Sequence, residues 1–331
     1  MTTPLPSTAP AIRWGILAPG GICKAFANAV NVHTQSSIVA VGSRSLERAQ
    51  AFADEFQGGT AYGSYEELVA DPNVDAIYIA SPHSHHRDHA LLAIEAGKHV
   101  LVEKAFALNV SQAREIVAAA RAKGVFCMEA MWTRHLPHVI ELRDVIARGD
   151  IGDVVSIQAD HGQQLTHVER LMNPELAGGT LLDLGVYPIS FAYDILGVPD
   201  SVTSVGQLTE TGVDGQVSVI LNYGPRAQAT LHTTLWAQTP TTAVIAGTEG
   251  RIEVAGDFYR PTSFTVKRKD GTSWTFDGDF PNGYAFEAAE VANRIAAGDT
   301  ESPRMTLDHS LDVMAIMDEV RAQIGLTYPG E

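Results

Sequence analysis

The chain has 331 residues, of which 45% are hydrophobic, and its formal net charge is −16. This length predicts two domains or one large one, the apolar fraction excludes wholesale disorder, and no apolar run approaches the ~18 residues that a membrane-spanning helix needs. The negative charge argues against nucleic acid and anionic membranes as partners, and the two cysteines are too few for a disulfide framework.

The N-terminal part of the chain predicts a parallel sheet with crossover helices. Residues 1 to about 11 carry no secretory pattern, so we expect a disordered lead-in and a cytoplasmic protein. From residue 12 to 125, β-rich apolar runs alternate with stretches of helical period. The predicted strands are 13–17, 38–42, 76–80, 99–102 and 126–128, and two of the helices are 45–56 and 111–123. Residues 1–131 are expected to form one doubly wound α/β domain.

The second half of the chain predicts a different architecture. A helix over 137–148 and a strand over 154–159 end the alternation, and several β-rich segments between residues 202 and 276 are separated by turn sequences. Helices near 285–297 and 307–324 close the chain. We therefore expect residues 132–331 to form an α+β domain with a large, open, mainly antiparallel sheet. Too few helices follow these strands to cover a whole sheet face, which predicts a homodimer or a higher homo-oligomer.

The segment GILAPGGIC, residues 15–23, follows the first predicted strand and opens a helix. In a Rossmann turn one glycine bends the chain, another lets the backbone approach a pyrophosphate, and a small third residue packs the helix on the strand. Ala18, Gly20 and Cys23 occupy these three places. Ala18, Gly20, Gly21 and Ile22 are the candidate cofactor-binding residues, and the alternative is an ordinary glycine-rich turn.

The end of the second predicted strand indicates which dinucleotide would bind. A carboxylate at this place would hold the ribose 2′-hydroxyl of NAD, but the strand ends with Gly42, Ser43 and Arg44. The guanidinium of Arg44 and the hydroxyl of Ser43 suit a 2′-phosphate, so the sequence predicts NADP, with NAD possible. The alternative is a solvated arginine at the start of a surface helix.

Four stretches, in this order, resemble the Gfo/Idh/MocA oxidoreductase family and, within it, the dimeric dihydrodiol dehydrogenase and NADP-dependent D-xylose dehydrogenase subgroup. They are GILAPGGI, AIYIASPHSHHRDHALLAIEAGKHVLVEKAFALN, EAMWTRHLP and LMNPELAGGTLLDLGVYPIS, and they cover about residues 12 to 196. The resemblance implies a Rossmann domain followed by an α/β domain whose open antiparallel sheet commonly serves oligomerisation.

Glu103 and Lys104 follow a predicted strand, at the carboxyl edge where doubly wound sheets bind ligands. The resemblance matches them to the Glu-Lys-Pro motif of the family, with Ala105 in place of the proline. It implies that Glu103 and Lys104 belong to the cofactor site and that Lys104 lies beside the nicotinamide and the reacting hydroxyl, where a cation stabilises developing alkoxide. The alternative for Lys104 is an ordinary surface lysine.

Asp183 and Tyr187 stand four residues apart in a predicted helical stretch, which places both on one helical face. The resemblance implies that Tyr187 is the general acid/base and that Asp183 positions the substrate or a proton relay. A tyrosine needs a nearby cation, such as Lys104, for this task at neutral pH. The alternative is a helix-capping aspartate and a buried structural tyrosine.

The segment SPHSHHRDH, residues 81–89, is dense in imidazoles that can bind zinc. No three-ligand geometry is evident and no second Cys/His cluster completes it, so we predict no metal site. The resemblance implies that this loop covers the dinucleotide. The candidate cofactor contacts in this loop are therefore Ser81, Pro82, His83 and His86.

Three further residues are candidates for substrate binding. Trp132 and Arg134 follow the last predicted strand of the first domain, where an indole can cover the apolar face of a sugar or diol ring and an arginine can donate to its hydroxyls. Structural burial of Trp132 is the alternative. His161 precedes the loop 163–170, which does not align with the family. His161, or His167 within that loop, is also an alternative catalytic base.

These features predict an NADP-dependent oxidoreductase that transfers hydride between the nicotinamide and a carbinol or carbonyl carbon of a sugar, cyclic polyol or trans-dihydrodiol. Two other functions remain open. One is a glycoside-cleaving enzyme of the same family that retains its nicotinamide, and the other is a non-catalytic dinucleotide sensor.

Overall fold

A computed structural model describes residues Pro4–Glu331, which divide into two compact units. The first unit comprises Pro4–His135 and Asn282–Leu311, and the second comprises Leu136–Pro281 and Asp312–Glu331. The predicted domain boundary after Met131 lies inside the first unit. That unit also includes the helical segment Asn282–Leu311, which follows the second sheet in the sequence.

The strands and helices follow one another along the chain with short connections. The strands are β1 Arg13–Leu17, β2 Ser37–Gly42, β3 Thr60–Tyr62, β4 Ala76–Ile79, β5 His99–Glu103, β6 Cys127–Ala130, β7 Val154–Gly162, β8 Ser201–Leu208, β9 Asp214–Asn222, β10 Gln228–Thr234, β11 Ala243–Gly247, β12 Gly250–Val254, β13 Ser263–Arg268 and β14 Ser273–Asp277. The α-helices are α1 Gly21–His33, α2 Leu46–Phe56, α3 Tyr65–Ala70, α4 His86–Glu95, α5 Val110–Lys123, α6 Pro137–Ala147, α7 Glu169–Met172, α8 Val186–Leu196, α9 Tyr284–Ala297 and α10 Leu307–Ile324. Between Pro4 and Glu331, no helix is long and apolar enough to span a membrane.

The first unit contains a six-stranded parallel sheet in the order β3-β2-β1-β4-β5-β6. The strand order reverses between β1 and β4, and ligands of doubly wound sheets bind at the carboxyl ends of the strands at such a switch point. The predicted Rossmann sheet is thus confirmed. Strand β3 is absent from the sequence prediction because three residues are too short to show a period.

Aromatic packing fixes α1 on this sheet. Phe26 of α1 meets Trp14 of β1 edge to face, with ring centroids 5.1 Å apart, and stacks on Tyr78 of β4 at 3.9 Å. All three side chains are completely buried. Since α1 starts directly after the turn that ends β1, this packing also holds that turn in place.

The second unit contains an eight-stranded sheet in the order β14-β13-β12-β11-β7-β10-β9-β8. Only the pair β7 and β10 is parallel among these neighbours, which confirms the predicted open, mainly antiparallel sheet. Alternate residues of β9 and β10, such as Val219 and Leu231, are buried on one face. Val205 and Ile220 project from the opposite face and are exposed.

The predicted disordered lead-in differs from the structure. Residues 1–3 of that prediction lie outside the described residues, but Pro6–Thr8 forms a 3-10 turn. Pro6 and Ala9 are buried, and Gln35 donates its side-chain amide to the carbonyl of Ser7 at 3.0 Å. Two buried apolar residues and one hydrogen bond therefore order a segment too short to show a sequence pattern.

Candidate active site

The turn between β1 and α1 has the form that a dinucleotide phosphate needs. Ala18 adopts a left-handed backbone (φ +63°), and its amide donates to the carbonyl of Gly42 at 3.1 Å. Gly20 precedes the first turn of α1 with no side-chain cap, so the backbone N–H groups there remain available to an anion. A Cβ on Gly21 would meet no atom within 4 Å, and one on Gly20 would meet only the Ala18 carbonyl at 3.9 Å. This open approach to bare backbone fits a pyrophosphate.

Ser43 and Arg44 lie directly after β2, as predicted. Ser43 is buried and its hydroxyl accepts from the amide of Ser45 at 3.3 Å, while Arg44 is exposed. Burial raises the pKa of the nearby Tyr65, and the charge of Arg44 opposes that rise. The Tyr65 ring meets His89 edge to face at 4.6 Å. Arg44 therefore lies at the end of β2 with an aromatic ring beside it, an arrangement suited to a ribose phosphate and its base.

The histidine-rich segment forms a 3-10 turn, His83–His85, and then the start of α4. His86 is buried, with Nδ1 2.9 Å from the carbonyl oxygen of Ala105 and Nε2 2.8 Å from that of Ser81. Both ring nitrogens of His86 therefore lie within hydrogen-bond distance of backbone carbonyl oxygens. Over residues 4–331, no three His, Cys, Asp or Glu side chains converge as a metal site would require.

Glu103 ends β5, and Lys104 lies half-buried directly after it. The Glu103 carboxylate accepts a hydrogen bond from the hydroxyl of Tyr78 and another from the amide of Lys104 at 3.2 Å. Glu287 of α9 is completely buried nearby, and burial together with the charge of Glu103 raises its pKa well above its usual range. The Lys104–Ala105 peptide bond is cis. The backbone that bears Lys104 is thus held by a buried carboxylate at the carboxyl edge of the sheet.

Trp132 and Arg134 lie in a 3-10 turn, Trp132–His135, and are 5% and 2% exposed. Trp132 stacks on Tyr284, the first residue of α9, with ring centroids 4.1 Å apart and planes within 7°. This partner could not be predicted from the sequence, because it lies far along the chain. Arg134 is buried near Glu129 of β6 and lowers the pKa of that carboxyl, against the larger effect of burial.

In the second unit, Asp183 and Tyr187 lie on a continuous helical segment. Leu181–Gly185 is a π-helical turn and continues directly into α8. Both side chains are buried, and Asp183 accepts from the guanidinium of Arg170 at 3.1 Å. A π turn is wider than an α turn, so the two residues are not aligned as strictly as the predicted α spacing implies.

Tyr187 belongs to a cluster of rings that the sequence did not predict as a whole. His161, at the end of β7, and Tyr259 both pack on Tyr187, with centroid distances of 5.3 and 4.8 Å, and stack on each other at 4.3 Å. The side-chain amide of Gln163 lies 2.9 Å from Nε2 of His161 and donates to the hydroxyl of Tyr259 at 3.3 Å. Gln163 and Arg170 come from the loop that did not align with the family, so that loop supplies polar groups beside Tyr187 and Asp183.

The two units therefore offer different chemistry. The first has an open phosphate turn, a cation at the end of β2 and a lysine at the end of β5. The second has a phenol among aromatic rings and a carboxylate paired with an arginine.

Comparison with known proteins agrees with this division. A family model described as an oxidoreductase family with an NAD-binding Rossmann fold matches residues 12–131, and a model of the GFO/IDH/MocA C-terminal domain matches residues 139–253. The chain is 40% identical, over 96% of its length, to the whole trans-1,2-dihydrobenzene-1,2-diol dehydrogenase of Xenopus tropicalis.

Two solved structures resemble this one over nearly all of both chains. The 3-ketoreductase KijD10 of Actinomadura kijaniata, in complex with NADP and TDP-benzene, has a TM-score of 0.85 and 25% identity over 95% of this chain and 98% of its own. Levoglucosan dehydrogenase, in complex with NADH and levoglucosan, has a TM-score of 0.87 and 20% identity over 97% of this chain and all of its own, a likeness of fold.

Proposed function

Because the chain belongs to the Gfo/Idh/MocA oxidoreductase family and is an NAD(P)-dependent dehydrogenase of the dihydrodiol dehydrogenase kind, we propose that it oxidises a carbinol of a trans-dihydrodiol or a related cyclic diol with NADP. The observation that carries this proposal is the ring cluster around Tyr187. Tyr259 is half-buried and stacks on the completely buried His161, and its ring offers an aromatic surface on which a flat, unsaturated ring can pack, beside a tyrosine that can exchange a proton.

The chain's own residues handle the proton. When bound, the nicotinamide accepts the hydride that leaves the carbinol carbon. Tyr187, in its phenolate form, takes the proton of the substrate hydroxyl and becomes a phenol, and Lys104 stabilises the negative charge on the oxygens. Asp183, held by Arg170, accepts a hydrogen bond from the substrate and orients it.

A substrate panel tests the reaction class. We expect the purified protein to reduce NADP with trans-1,2-dihydrobenzene-1,2-diol faster than with D-xylose, levoglucosan or myo-inositol, as measured by the absorbance of the reduced nicotinamide. Cleavage of a glycoside without net NADPH production would instead favour the cofactor-retaining alternative. Nicotinamide binding with no turnover on any substrate would favour the sensor.

The preference for NADP rests on Arg44. A charge-assisted hydrogen bond to the 2′-phosphate contributes about 1.5 to 3 kcal/mol, so Arg44→Asp should weaken NADP binding about tenfold to a hundredfold and favour NAD. Arg114→Asp is the matched control, because Arg114 is also exposed but lies on α5. Calorimetric titration giving equal affinity for the two cofactors in the wild type, unchanged in Arg44→Asp, would refute the assignment.

We also propose that the chain forms a homodimer through the open face of the eight-stranded sheet. Val205 and Ile220 project from that face and are 72% and 38% exposed. Val205→Glu should convert the dimer to a monomer in light scattering. The control Val32→Glu, at a valine 63% exposed on α1, should not. A monomeric wild type at micromolar concentration would contradict the proposal.

A further inference from the structure

The helical segment that carries Asp183 and Tyr187 begins without a cap of its own. Thr180 occupies the cap position but makes no cap hydrogen bond, and its hydroxyl lies instead 2.7 Å from that of Thr233 on β10. The first N–H groups of a helical segment have no partner within it, and leaving them unpaired in the interior is costly. A partner must therefore come from elsewhere in the fold.

Asp214, the first residue of β9, supplies that partner. It is completely buried, and its Oδ2 accepts a hydrogen bond from the amide of Leu181 at 2.6 Å, although the two residues are 33 positions apart. The Asp214 carboxylate thus caps the helical segment, as the side chain of a local Asp or Asn caps the N-terminus of an ordinary helix. The orientation of the segment is thus tied to the sheet.

Gly179 shows how closely Asp214 approaches. Its backbone lies in the left-handed region (φ +108°), and a Cβ there would come within 1.9 Å of Asp214 Oδ1. No side chain fits at residue 179 while Asp214 keeps its place. Gly179 is therefore needed for the close approach of Asp214.

The C-terminal residues hold the same turn from the other side. The hydroxyl of Tyr328 donates to the carbonyl of Gly178 at 2.6 Å. Arg321 covers the Tyr328 ring at 4.9 Å and pairs with Glu331, whose carboxylate also accepts from the amide of Tyr328 at 2.9 Å. The turn 178–181 is thus clamped at one carbonyl and one amide.

We propose that Asp214 and Tyr328 are positioning residues that fix the direction of the helical segment bearing Asp183 and Tyr187. Asp183 lies two residues after Leu181, whose amide Asp214 binds, and Tyr187 is the second residue of α8. A rotation of the backbone at residue 181 therefore moves both side chains. The inference rests on the proposed role of Tyr187 in proton exchange. Misplacement of reacting groups by about 1 Å can cost a hundredfold in rate.

The test compares Asp214→Ala, Asp214→Asn and Tyr328→Phe with the wild type and with Tyr187→Phe, in the full chain. We expect Asp214→Ala to lower kcat tenfold to a hundredfold while KM and NADP affinity change less than about threefold. Asp214→Asn keeps an oxygen acceptor and should restore most of kcat. Hydrogen exchange at the amides of 180–182 should be faster in Asp214→Ala.

Tyr223→Phe is the matched control, because Tyr223 is equally buried and donates to the carbonyl of Gly197 at 3.2 Å, at the other end of α8. Tyr328→Phe should lower kcat, and Tyr223→Phe should not, even where both lower the melting temperature alike. A wild-type kcat in Asp214→Ala and Tyr328→Phe, with kcat lost in Tyr187→Phe, would overturn this inference alone. An Asp214→Asn enzyme as slow as Asp214→Ala, with a limb missing from its pH profile, would also overturn it. Unchanged turnover in Tyr187→Phe would overturn the role on which it rests.

Discussion

The buried carboxyl of Glu129 should make the stability of the first unit depend on pH. Glu129 lies on β6 and is 1% exposed. Burial, the largest effect, raises its pKa from 4.5 to about 7, although the charge of Arg134 opposes the rise. The folded state therefore binds this proton more tightly than the unfolded state. Its favourable contribution is complete below pH 4.5 and is lost as the pH rises to about 7.

The magnitude follows from the two pKa values. Each pKa unit corresponds to about 1.4 kcal/mol, so the group costs the folded state about 3 kcal/mol above pH 7 relative to acid conditions. Glu129→Gln keeps the shape of the side chain and cannot ionise. The unfolding free energy of Glu129→Gln minus that of the wild type should therefore grow by about 2 to 3 kcal/mol from pH 5 to pH 8. Any cost of leaving Arg134 without a carboxylate adds a constant and does not change this slope.

Urea unfolding at several pH values measures the difference. Trp14 and Trp132, both buried in the first unit, report its unfolding by fluorescence. Glu95→Gln is the control, since it makes the same substitution at an exposed residue of α4. A flat or falling difference for Glu129→Gln would show that Glu129 is ionised beside Arg134 throughout, and would refute the reasoning.

Two further predictions concern chemistry at single side chains. Tyr187→Phe should lower kcat by a factor of about 10² to 10⁴ while NADP affinity stays near that of the wild type, and Lys104→Met should lower kcat at least as much. Steady-state kinetics and titration measure both effects. Retained turnover with an unchanged pH profile in Tyr187→Phe would assign the proton exchange to His161 instead. The thiols of Cys23 and Cys127 are completely buried, and burial raises the pKa of Cys23 to about 12 and that of Cys127 further. A disulfide reagent should therefore react with neither thiol in the native protein and with both in denaturant. Prompt reaction of the native protein would show that one of the two thiols is accessible.

The sequence predicted the elements that local pattern determines. Ser45 was expected to start a helix, and its hydroxyl accepts from the amide of Arg48 at the first turn of α2. The turn around Gly20 was recognised because its residues are consecutive. The π turn Leu181–Gly185 was not predicted, since the i to i+4 pattern of apolar residues does not distinguish it from the α-helix that follows.

The surroundings of the candidate catalytic residues were not predictable in the same way, because they are built from distant parts of the chain. Tyr259 packs on Tyr187 from the connection between β12 and β13, and Tyr284 stacks on Trp132 from the start of α9. Asp214 resembled a residue of an Asp-Gly turn in the sequence. Its contact with Leu181 depends on the pairing of β9 with β10, which no local pattern specifies.

Two buried acids of this chain lie beside segments to which function is assigned. Glu103 holds the amide of Lys104, and Asp214 holds the amide of Leu181. A buried carboxyl costs stability that an apolar residue of similar volume would not, so its benefit must lie in the backbone geometry that it fixes. At Glu129 burial outweighs the contacts that lower the pKa, which involve Ser310, Arg134 and the backbone of Phe106, so removing its charge should favour the folded state increasingly as the pH rises. Asp214, which caps a helical segment, should lose order when its acceptor is removed. Glu129→Gln and Asp214→Ala therefore separate a carboxyl whose burial outweighs its contacts from one that positions a reacting group.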